Sequence, residues 1–482
     1  MAPVITLVAL LGYGALLLLV GRVATRSGGR MAAFTASQQA AWYQVWPAMI
    51  SAAMSGITFV SVPGSVATDG MTYLQMVAGF TVGQLLIAYW LVPLFYRLRL
   101  TSIYEYLDCR YGVTTHRTGG WLFLCSKLAS ASLKLAIVCV VLQQLLFAPL
   151  GLPFWVNVLL VVGVAWGYTR RGGVGAVIRA DWLKTAVMVG ALVVTIGALL
   201  SAMGWSIGDL CDEVSHSPMA RLFCFDDPAS DRYFWKMFLS GVVLLVAMTG
   251  LDQELMQRNL ACRSVADAQK NILWTAVAQA VVIAAFLLLG LLLYRYADFA
   301  SIARPDKPDQ LFATVAVSDG LPIGVGVLFV MGFAAGSFSS GGAALTALTT
   351  STMVDVIGCK DVNDKCIRQL RNRIHLMLAV AMAVLVWLFG SLADESVINL
   401  IYRVAGYTYG PILALFLFGA WTRWKVQEKK VWIVVLVAPI LTAVIQHLSV
   451  CYLNYFIGFE LLLFNTLLTM AGLWLIRQRT TA

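Results

Sequence analysis

Long apolar stretches separated by short polar segments run along the whole chain. A helix needs about 20 mostly apolar residues to cross ~30 Å of hydrocarbon. Thirteen stretches fit that requirement, and we number them as spans 1 to 13: residues 3–21, 42–62, 74–96, 118–148, 152–168, 180–202, 233–257, 271–294, 321–356, 374–391, 396–421, 431–448 and 452–476. The pattern therefore predicts an all-α integral membrane protein with about thirteen transmembrane helices.

The composition agrees with this prediction and excludes a string of soluble domains. Of the 482 residues, 60% are hydrophobic and 12% are charged, whereas soluble domains have about 45–50% apolar and about 25% charged residues. The Gly-rich runs at 172–175 and 322–326 lack the Lys-Ser/Thr ending of a phosphate-binding loop. We therefore predict that the protein is not an enzyme, which leaves a transporter, a channel or a receptor.

The distribution of basic residues predicts the orientation. With the N-terminus outside, the inner loops carry 24 Lys and Arg residues and the outer loops carry 5. Cytoplasmic loops of membrane proteins collect Lys and Arg. We therefore expect a multi-pass protein of the cell inner (plasma) membrane with a cytoplasmic C-terminus. The net charge of +10 then needs no nucleic-acid partner. The expected partners are membrane lipid, a small solute and an ion, with no obligate protein partner.

The longest outer loop, residues 203–232, is acidic and contains Cys211 and Cys224. An oxidising outer compartment would permit a disulfide between them. Two unpaired thiols are equally consistent with the sequence, so the pairing stays open.

Two spans contain clusters of small and hydroxyl residues, over 50–59 in span 2 and over 334–346 in span 9. Polar and broken stretches inside a membrane are costly and mark functional sites by default. An unwound helix frees backbone carbonyls, and hard cations such as Na⁺ prefer oxygen ligands. The two segments predict a shared cation site. The alternative is close helix packing through small residues.

Span 7 contains a second candidate break, where a Thr-Gly pair at 249–250 precedes Asp252 and Glu254. The alternative is that the two acids lie near the inner interface and pair with Arg258 or Lys270. Spans 2–6 and 7–11 thus form two sets of five, each opening with a broken helix. A repeat with an odd number of spans must be inverted in the membrane, as in secondary transporters with a midplane site.

Buried basic residues are candidates for contact with a solute. Lys134 lies near the middle of span 4, where an ammonium group needs a partner. That partner is either a carboxylate of the protein, Asp181 or Asp252, or a carboxylate of the substrate. Arg403 in span 11 is a second candidate, although its long side chain could instead reach the outer interface.

Five segments, taken in order along these spans, resemble the sodium/solute symporter family. They are Ser55–Phe59 with Pro63, Gly64, Asp69 and Gly70; Gly172–Ile178 with Asp181; Gln257 and Arg258 through Ala261, Ser264 and Ala268–Lys270; Ser339–Thr350 with Asp355; and Gly406–Pro411. The resemblance implies a LeuT-type fold, a 5+5 inverted repeat with one additional N-terminal helix and two C-terminal helices. A single transporter domain would then cover 1–482, with the extra helix at 3–21, the repeats at 42–202 and 233–421 and the C-terminal helices at 431–476.

The same resemblance implies a set of sodium ligands. The family's main Na⁺ site carries over to the backbone carbonyls of Ser51, Met54 and Gly336 and to the hydroxyls of Ser339 and Ser340. Some members hold a second Na⁺ at an acid that matches Asp181. The two further hydroxyl positions of that second site are Gly342 and Ala343, which have no hydroxyl. We therefore expect one Na⁺ per solute, with a second ion at Asp181 left open.

Around the solute, the chain is most similar to sialic-acid-transporting members. Ser55, Thr58 and Lys134 fall at their substrate-binding positions, and Gln75 and Arg403 could add polar contacts. Lys stands where those members have Arg, so a point charge replaces a bidentate clamp. The sequence thus predicts a sodium-coupled symporter that imports a small organic solute, a carboxylate such as sialic acid. The alternatives are a neutral sugar or polyol symporter and an uncoupled channel or sensor on the same fold.

Overall fold

The computed structural model describes residues 3–27, 40–100, 102–228, 230–318, 320–359, 365–392 and 397–478, without 454, 456 and 459. This part of the chain is almost entirely helical. Its α-helices are α1 (Pro3–Ser27), α2 (Trp42–Ala53), α3 (Gly56–Gly64), α4 (Val66–Asp69), α5 (Tyr73–Leu86), α6 (Val92–Arg97), α7 (Glu105–Tyr111), α8 (Val113–Leu142), α9 (Phe154–Met203), α10 (Ile207–His216), α11 (Phe234–Leu245), α12 (Gln253–Asn259), α13 (Val265–Phe299), α14 (Leu311–Ala316), α15 (Ile323–Ser351), α16 (Lys365–Leu392), α17 (Val397–Trp421), α18 (Glu428–Leu453) and α19 (Leu461–Leu475). Four π-helical turns, at Ile87–Leu91, Gln143–Phe147, Val246–Gly250 and Thr352–Ile357, extend α5, α8, α11 and α15, and two 3-10 turns lie at Pro218–Ala220 and Pro308–Gln310.

Many of these helices are long and apolar enough to cross a membrane. By length and composition, eight helices in the described residues qualify, or ten when two bent pairs each count as one span. Three shorter apolar helices lie at Leu7–Val23, Phe154–Arg170 and Leu461–Leu475. The prediction of an all-α multi-pass membrane protein is confirmed, whereas the count of thirteen spans stays a prediction.

The first bent pair is the broken helix predicted in span 2. The axes of Trp42–Ala53 and Thr58–Asp69 differ by 54°, and the backbone between them is extended. A new helix starts here because Ser55 and Thr58 form a reciprocal cap. The Ser55 N–H donates to Thr58 Oγ1 at 3.2 Å, and the Thr58 N–H donates to Ser55 Oγ at 3.4 Å.

The second bent pair is the break predicted in span 7. The helix over Phe234–Gly250 and α12 are inclined by 72° to each other. Asp252 caps the N-terminus of α12, because its Oδ1 accepts the backbone N–H groups of Glu254 at 2.9 Å and Leu255 at 3.4 Å. A carboxylate is also favourable at the positive end of the helix dipole.

Between predicted spans 5 and 6 the structure differs from the expected loop. The helix α9 runs through both spans and kinks at Gly173, where φ is 51° and ψ is −142°. Only glycine adopts such a conformation without strain. Phe154–Arg170 and Gly173–Met203 are therefore two helices that meet at this kink, without a longer loop between them.

The helix α15 lies at the centre of the bundle and packs against α1, α3, α8, α9 and α16. Gly336 allows α15 to approach the break in span 2, since a Cβ atom there would lie 2.6 Å from the backbone nitrogen of Gly56. The helix α10 belongs to the acidic loop at residues 203–232, in which Cys211 and Cys224 are free thiols. The break, α15 and α9 therefore meet in the interior, where the site is expected.

Candidate solute cavity and cation site

A cavity of about 200 Å³ lies between the two helix breaks. Its wall combines apolar side chains with hydroxyl, amide and charged groups. The polar lining residues are Ser55, Thr58, Tyr73, Gln84, Lys127, Ser130, Lys134, Thr249, Asp252, Glu254, Thr275, Gln279, Ser340 and Tyr409. Three of the predicted solute contacts, Ser55, Thr58 and Lys134, therefore share one cavity, and the predicted sodium ligand Ser340 borders it as well.

The two lysines of α8 differ in their partners. Lys127 Nζ lies 2.7 Å from Asp252 Oδ2 and 2.8 Å from Glu254 Oε2. Lys134 follows seven residues later on the same face of α8 and forms no hydrogen bond or ion pair with any described residue. The alternative in which Lys134 pairs with Asp252 is therefore not what the structure shows. Lys134 lines the cavity with no described carboxylate within ion-pair distance of its ammonium group.

The acids of the second break are held in place by neighbours on three helices. Tyr409 of α17 donates a hydrogen bond to Asp252 Oδ2 at 2.7 Å. Glu254 pairs with Lys127 and also with Arg258, at 3.1 Å from Nη1. The sequence offered Arg258 or Lys270 as partners for the two acids of span 7, and the structure shows that Glu254 pairs with Arg258. Both carboxylates therefore have protein cations as ion-pair partners.

An amide pair on the cavity wall was not singled out from the sequence. Gln84 Nε2 donates to Gln279 Oε1 at 2.6 Å, and both side chains line the cavity. Gln84 Oε1 is buried without a hydrogen-bond partner in the described residues. The sequence signal for this pair was the presence of two glutamines inside apolar spans. Whether they contact each other depends on how α5 packs against α13.

The predicted sodium ligands Ser51 and Ser339 converge on Asp181. Asp181 is 1% exposed, and its Oδ1 accepts hydrogen bonds from Ser51 Oγ at 3.1 Å and from Ser339 Oγ. Its Oδ2 lies 3.0 Å from Arg258 Nη2. Side chains from α2, α15 and α9 thus bring carboxylate and hydroxyl oxygens together, which is a donor set for a hard cation.

The Ser51 carbonyl, another predicted sodium ligand, is engaged by a lysine that the sequence analysis did not identify. Lys184 of α9 is 1% exposed and donates from Nζ to Ser51 O at 2.6 Å. The last carbonyls of a helix have no partner within the helix and carry its negative end. A cationic group therefore already lies where α2 ends. A lysine inside span 6 was visible in the sequence, but its target was not.

The remaining predicted ligands lie close by in different roles. Met54 is buried at the break, and Gly336 forms the close contact between α15 and α3. Ser340 faces the cavity instead of Asp181. The predicted sodium ligands therefore lie around the end of α2, and the cation site that they would form stays a prediction.

One predicted solute contact, Gln75, has a different position, and the side chain of another is not described. Gln75 is fully buried and does not line the cavity in the described structure. Its Nε2 donates to Arg232 O at 3.1 Å and its Oε1 accepts from the Cys224 N–H at 3.0 Å, so it anchors the outer loop to α5. Arg403 belongs to α17, but its side chain lies outside the described residues.

An all-α bundle with two broken helices around a buried polar cavity is the architecture of LeuT-type secondary transporters. The fold matches the solved structure of a substrate-bound, outward-open Na⁺-coupled sialic acid symporter with a TM-score of 0.81 at 17% identity, over 98% of this chain and 97% of that one. A nucleobase-cation-symport-1 family transporter matches at 0.52 and 12% identity, over 93% and 95% of the two chains.

Sequence comparison gives the family. The model of the sodium:solute symporter family matches residues 33–429, so the chain belongs to that family. Its relatives include the human sodium/iodide cotransporter, 25% identical over 85% of this chain and 65% of the relative. The sodium-coupled monocarboxylate transporter 1 of Xenopus laevis is 24% identical over 76% and 59%.

The chain spans less than two thirds of the length of these curated relatives. The family and the structural neighbours are transporters, which confirms the prediction that the protein is not an enzyme. Sodium as the expected ion agrees with the family.

Proposed function

We propose that this protein is a sodium-coupled symporter that imports a small carboxylate-bearing solute by alternating access. The observation that carries the proposal is Lys134, which faces the cavity without an ionic partner among the described residues. An uncompensated ammonium at membrane depth is costly. Because Asp252 and Glu254 are paired with other cations, a carboxylate on the solute is the group that would neutralise Lys134.

The names of the relatives support an anionic solute. Iodide, monocarboxylates and sialic acid are all anions at neutral pH, and they appear in the names of one structural and several sequence relatives. The hydroxyls of Ser55 and Thr58 share the cavity with Lys134. This combination of one cation with hydroxyl groups suits a polyhydroxy acid such as sialic acid.

A neutral sugar or polyol is the second candidate, favoured by the amide pair. Gln84 and Gln279 line the same cavity, and their amides could exchange their mutual hydrogen bond for hydrogen bonds to solute hydroxyls. In that case Lys134 would act as a hydrogen-bond donor and its charge would not determine selectivity. An uncoupled channel or sensor is the third possibility.

For the ion, we propose a site between the break in span 2 and α15. The carbonyls of Ser51, Met54 and Gly336 and the hydroxyls of Ser339 and Ser340 are the proposed ligands. Bound Na⁺ would supply a positive charge that holds the carbonyls at the break. These residues would then fix the angle between α2 and α3, and with it the cavity wall at Ser55 and Thr58. Asp181 lies beside the site and is a candidate for a second, looser ion.

The proposal includes the arrangement of the chain in the membrane. Residues 42–202 and 233–421 would form the two inverted repeats, with the extra helix at 3–21 and the C-terminal helices at 431–476. The excess of Lys and Arg in the inner loops supports an outer N-terminus and a cytoplasmic C-terminus in the cell inner (plasma) membrane.

Uptake of labelled sialic acid into proteoliposomes tests the function. We expect accumulation only under an inward Na⁺ gradient, with competition by unlabelled acid but not by its methyl ester, glucose or inositol. If the ester or the neutral solutes compete as well as the acid, the carboxylate assignment is wrong. Solute flux that does not depend on the Na⁺ gradient would indicate an uncoupled channel.

Variants at Lys134 separate charge from structure. Lys134→Arg should retain uptake of the acid, because a guanidinium can form a bidentate pair with a carboxylate. Lys134→Gln should lose uptake of the acid while keeping normal folding. Lys429→Gln is the matched control, since this lysine at the start of α18 is exposed and does not line the cavity. Equal uptake by Lys134→Gln and Lys429→Gln would exclude a role for the Lys134 charge.

A further inference from the structure

The end of α2 is already bound to a cationic group of the protein. Lys184 Nζ donates to Ser51 O at 2.6 Å, and both residues are buried. The Met54 N–H donates to the same oxygen at 3.2 Å. A carbonyl oxygen has two lone pairs, so both acceptor positions of Ser51 O are filled. A sodium ion can bind this oxygen only after the ammonium group has moved away.

We propose that the Lys184 ammonium is a tethered competitor of Na⁺, which binds the end of α2 in the ion-free protein and is displaced when Na⁺ binds. This inference rests on the proposed sodium-coupled function. In this arrangement the break in span 2 always has a cation, first the ammonium of α9 and then the ion. The ion-free protein therefore keeps α2 attached to α9, and the apparent affinity for Na⁺ is lowered by the competition.

The local geometry gives the displaced ammonium an alternative partner. Asp181 and Lys184 are three residues apart on α9 and so lie on one face of that helix. Asp181 already receives the Ser51 and Ser339 hydroxyls and faces Arg258. The flexible four-carbon stem of lysine lets its ammonium group shift by a few ångströms. An exchange between the Ser51 carbonyl and the Asp181 carboxylate would keep the ammonium hydrogen-bonded.

Sodium binding to the purified protein tests the inference without using transport. Lys184→Met keeps the approximate length of the side chain but removes the ammonium. We expect the half-saturating Na⁺ concentration, measured by ²²Na⁺ binding and by the Na⁺-dependent rise in unfolding temperature, to fall about ten- to hundredfold. Both measurements are made at one pH and at constant ionic strength with choline as the replacement cation.

Thr185→Val is the matched control for the loss of a hydrogen bond between α9 and α2. Thr185 Oγ1 donates to Pro47 O at 3.1 Å. Pro47 lies one turn of α2 before Ser51, which Lys184 contacts. The control removes a neighbouring hydrogen bond between the same two helices without removing a cation. Its half-saturating Na⁺ concentration should equal that of the wild type. If Lys184→Met does not fold, Lys184→Gln replaces it, and a smaller fall in the same concentration is expected.

The outcomes separate this inference from the proposed function. An unchanged half-saturating concentration in Lys184→Met and Lys184→Gln overturns the inference, even if wild-type uptake depends on Na⁺. Conversely, the wild type could show neither Na⁺ binding nor Na⁺-dependent uptake while Lys184→Met binds Na⁺. That result would support the position of the ammonium at the ion site and refute sodium coupling of the natural protein.

Discussion

The guanidinium of Arg258 faces the carboxylate of Asp181, with Nη2 3.0 Å from Oδ2. The Arg258 side chain is 2% exposed and that of Asp181 is 1% exposed. Arg258 belongs to α12, the short helix after the second break, whereas Asp181 belongs to α9 beside the end of α2. One ion pair therefore joins the second broken span to the region of the proposed sodium site. If α12 moves relative to α9, either the two side chains move together or the ion pair breaks.

Removal of Arg258 should destabilise the protein strongly. In Arg258→Met the buried Asp181 carboxylate loses its guanidinium partner, and breaking one side of a buried pair costs about 3–5 kcal/mol. Thermal unfolding in detergent measures the loss. Arg263→Ala is the control, because its i,i+4 pair with Asp267 has a 63% exposed arginine and such pairs contribute about 0–1 kcal/mol. Similar losses in both variants would contradict a structural role for the buried pair.

A side chain at Gly336 should separate α15 from the first break. A Cβ there would lie 2.6 Å from the Gly56 nitrogen, and backbone atoms cannot move aside as a flexible side chain does. We expect Gly336→Ala to lose about 1–3 kcal/mol of stability, together with Na⁺-dependent uptake. Gly324→Ala on the same helix meets nothing within 4 Å and should unfold at nearly the wild-type temperature. Normal uptake by Gly336→Ala would show that this contact is not needed.

Ser340→Ala should weaken the sodium dependence of uptake. On the proposed site it removes one hydroxyl ligand, and the expected effect is roughly 1–3 kcal/mol in Na⁺ affinity at near-normal expression. Ser337→Ala is a suitable control, because Ser337 Oγ donates to Phe333 O of its own helix at 2.8 Å. An unchanged Na⁺ dependence in Ser340→Ala would remove this residue from the site.

One sodium ion should accompany each solute. The positions that would complete a second site are Gly342 and Ala343, and a side chain at Gly342 would collide with the hydroxyl of Tyr168. Uptake measured against Na⁺ concentration should therefore give a Hill coefficient near one, and parallel measurement of charge and solute flux should show no net charge per solute, because one Na⁺ balances one carboxylate. A coefficient near two, with a matching charge count, would place a second ion at Asp181.

The sequence by itself determined the helical architecture and indicated both breaks, because the signals are local. Long apolar runs are helical in a membrane since every backbone group must be paired within the segment. The breaks follow from short caps, the Ser55–Thr58 pair and Asp252, whose partners lie two or three residues away. Residues near in the chain need no knowledge of packing to be placed together.

Only the tertiary structure decided which polar groups meet. Lys127 and Lys134 are alike in the sequence, yet Asp252, 125 residues further along, reaches Lys127 alone. Lys184 meets the end of α2 across 133 residues, and Gln75 contacts the outer loop instead of the cavity. Each of these contacts depends on the depth and rotation at which one helix packs against another. A periodic sequence does not contain that register, so the charge of the cavity and the partner of the Ser51 carbonyl emerge only from packing.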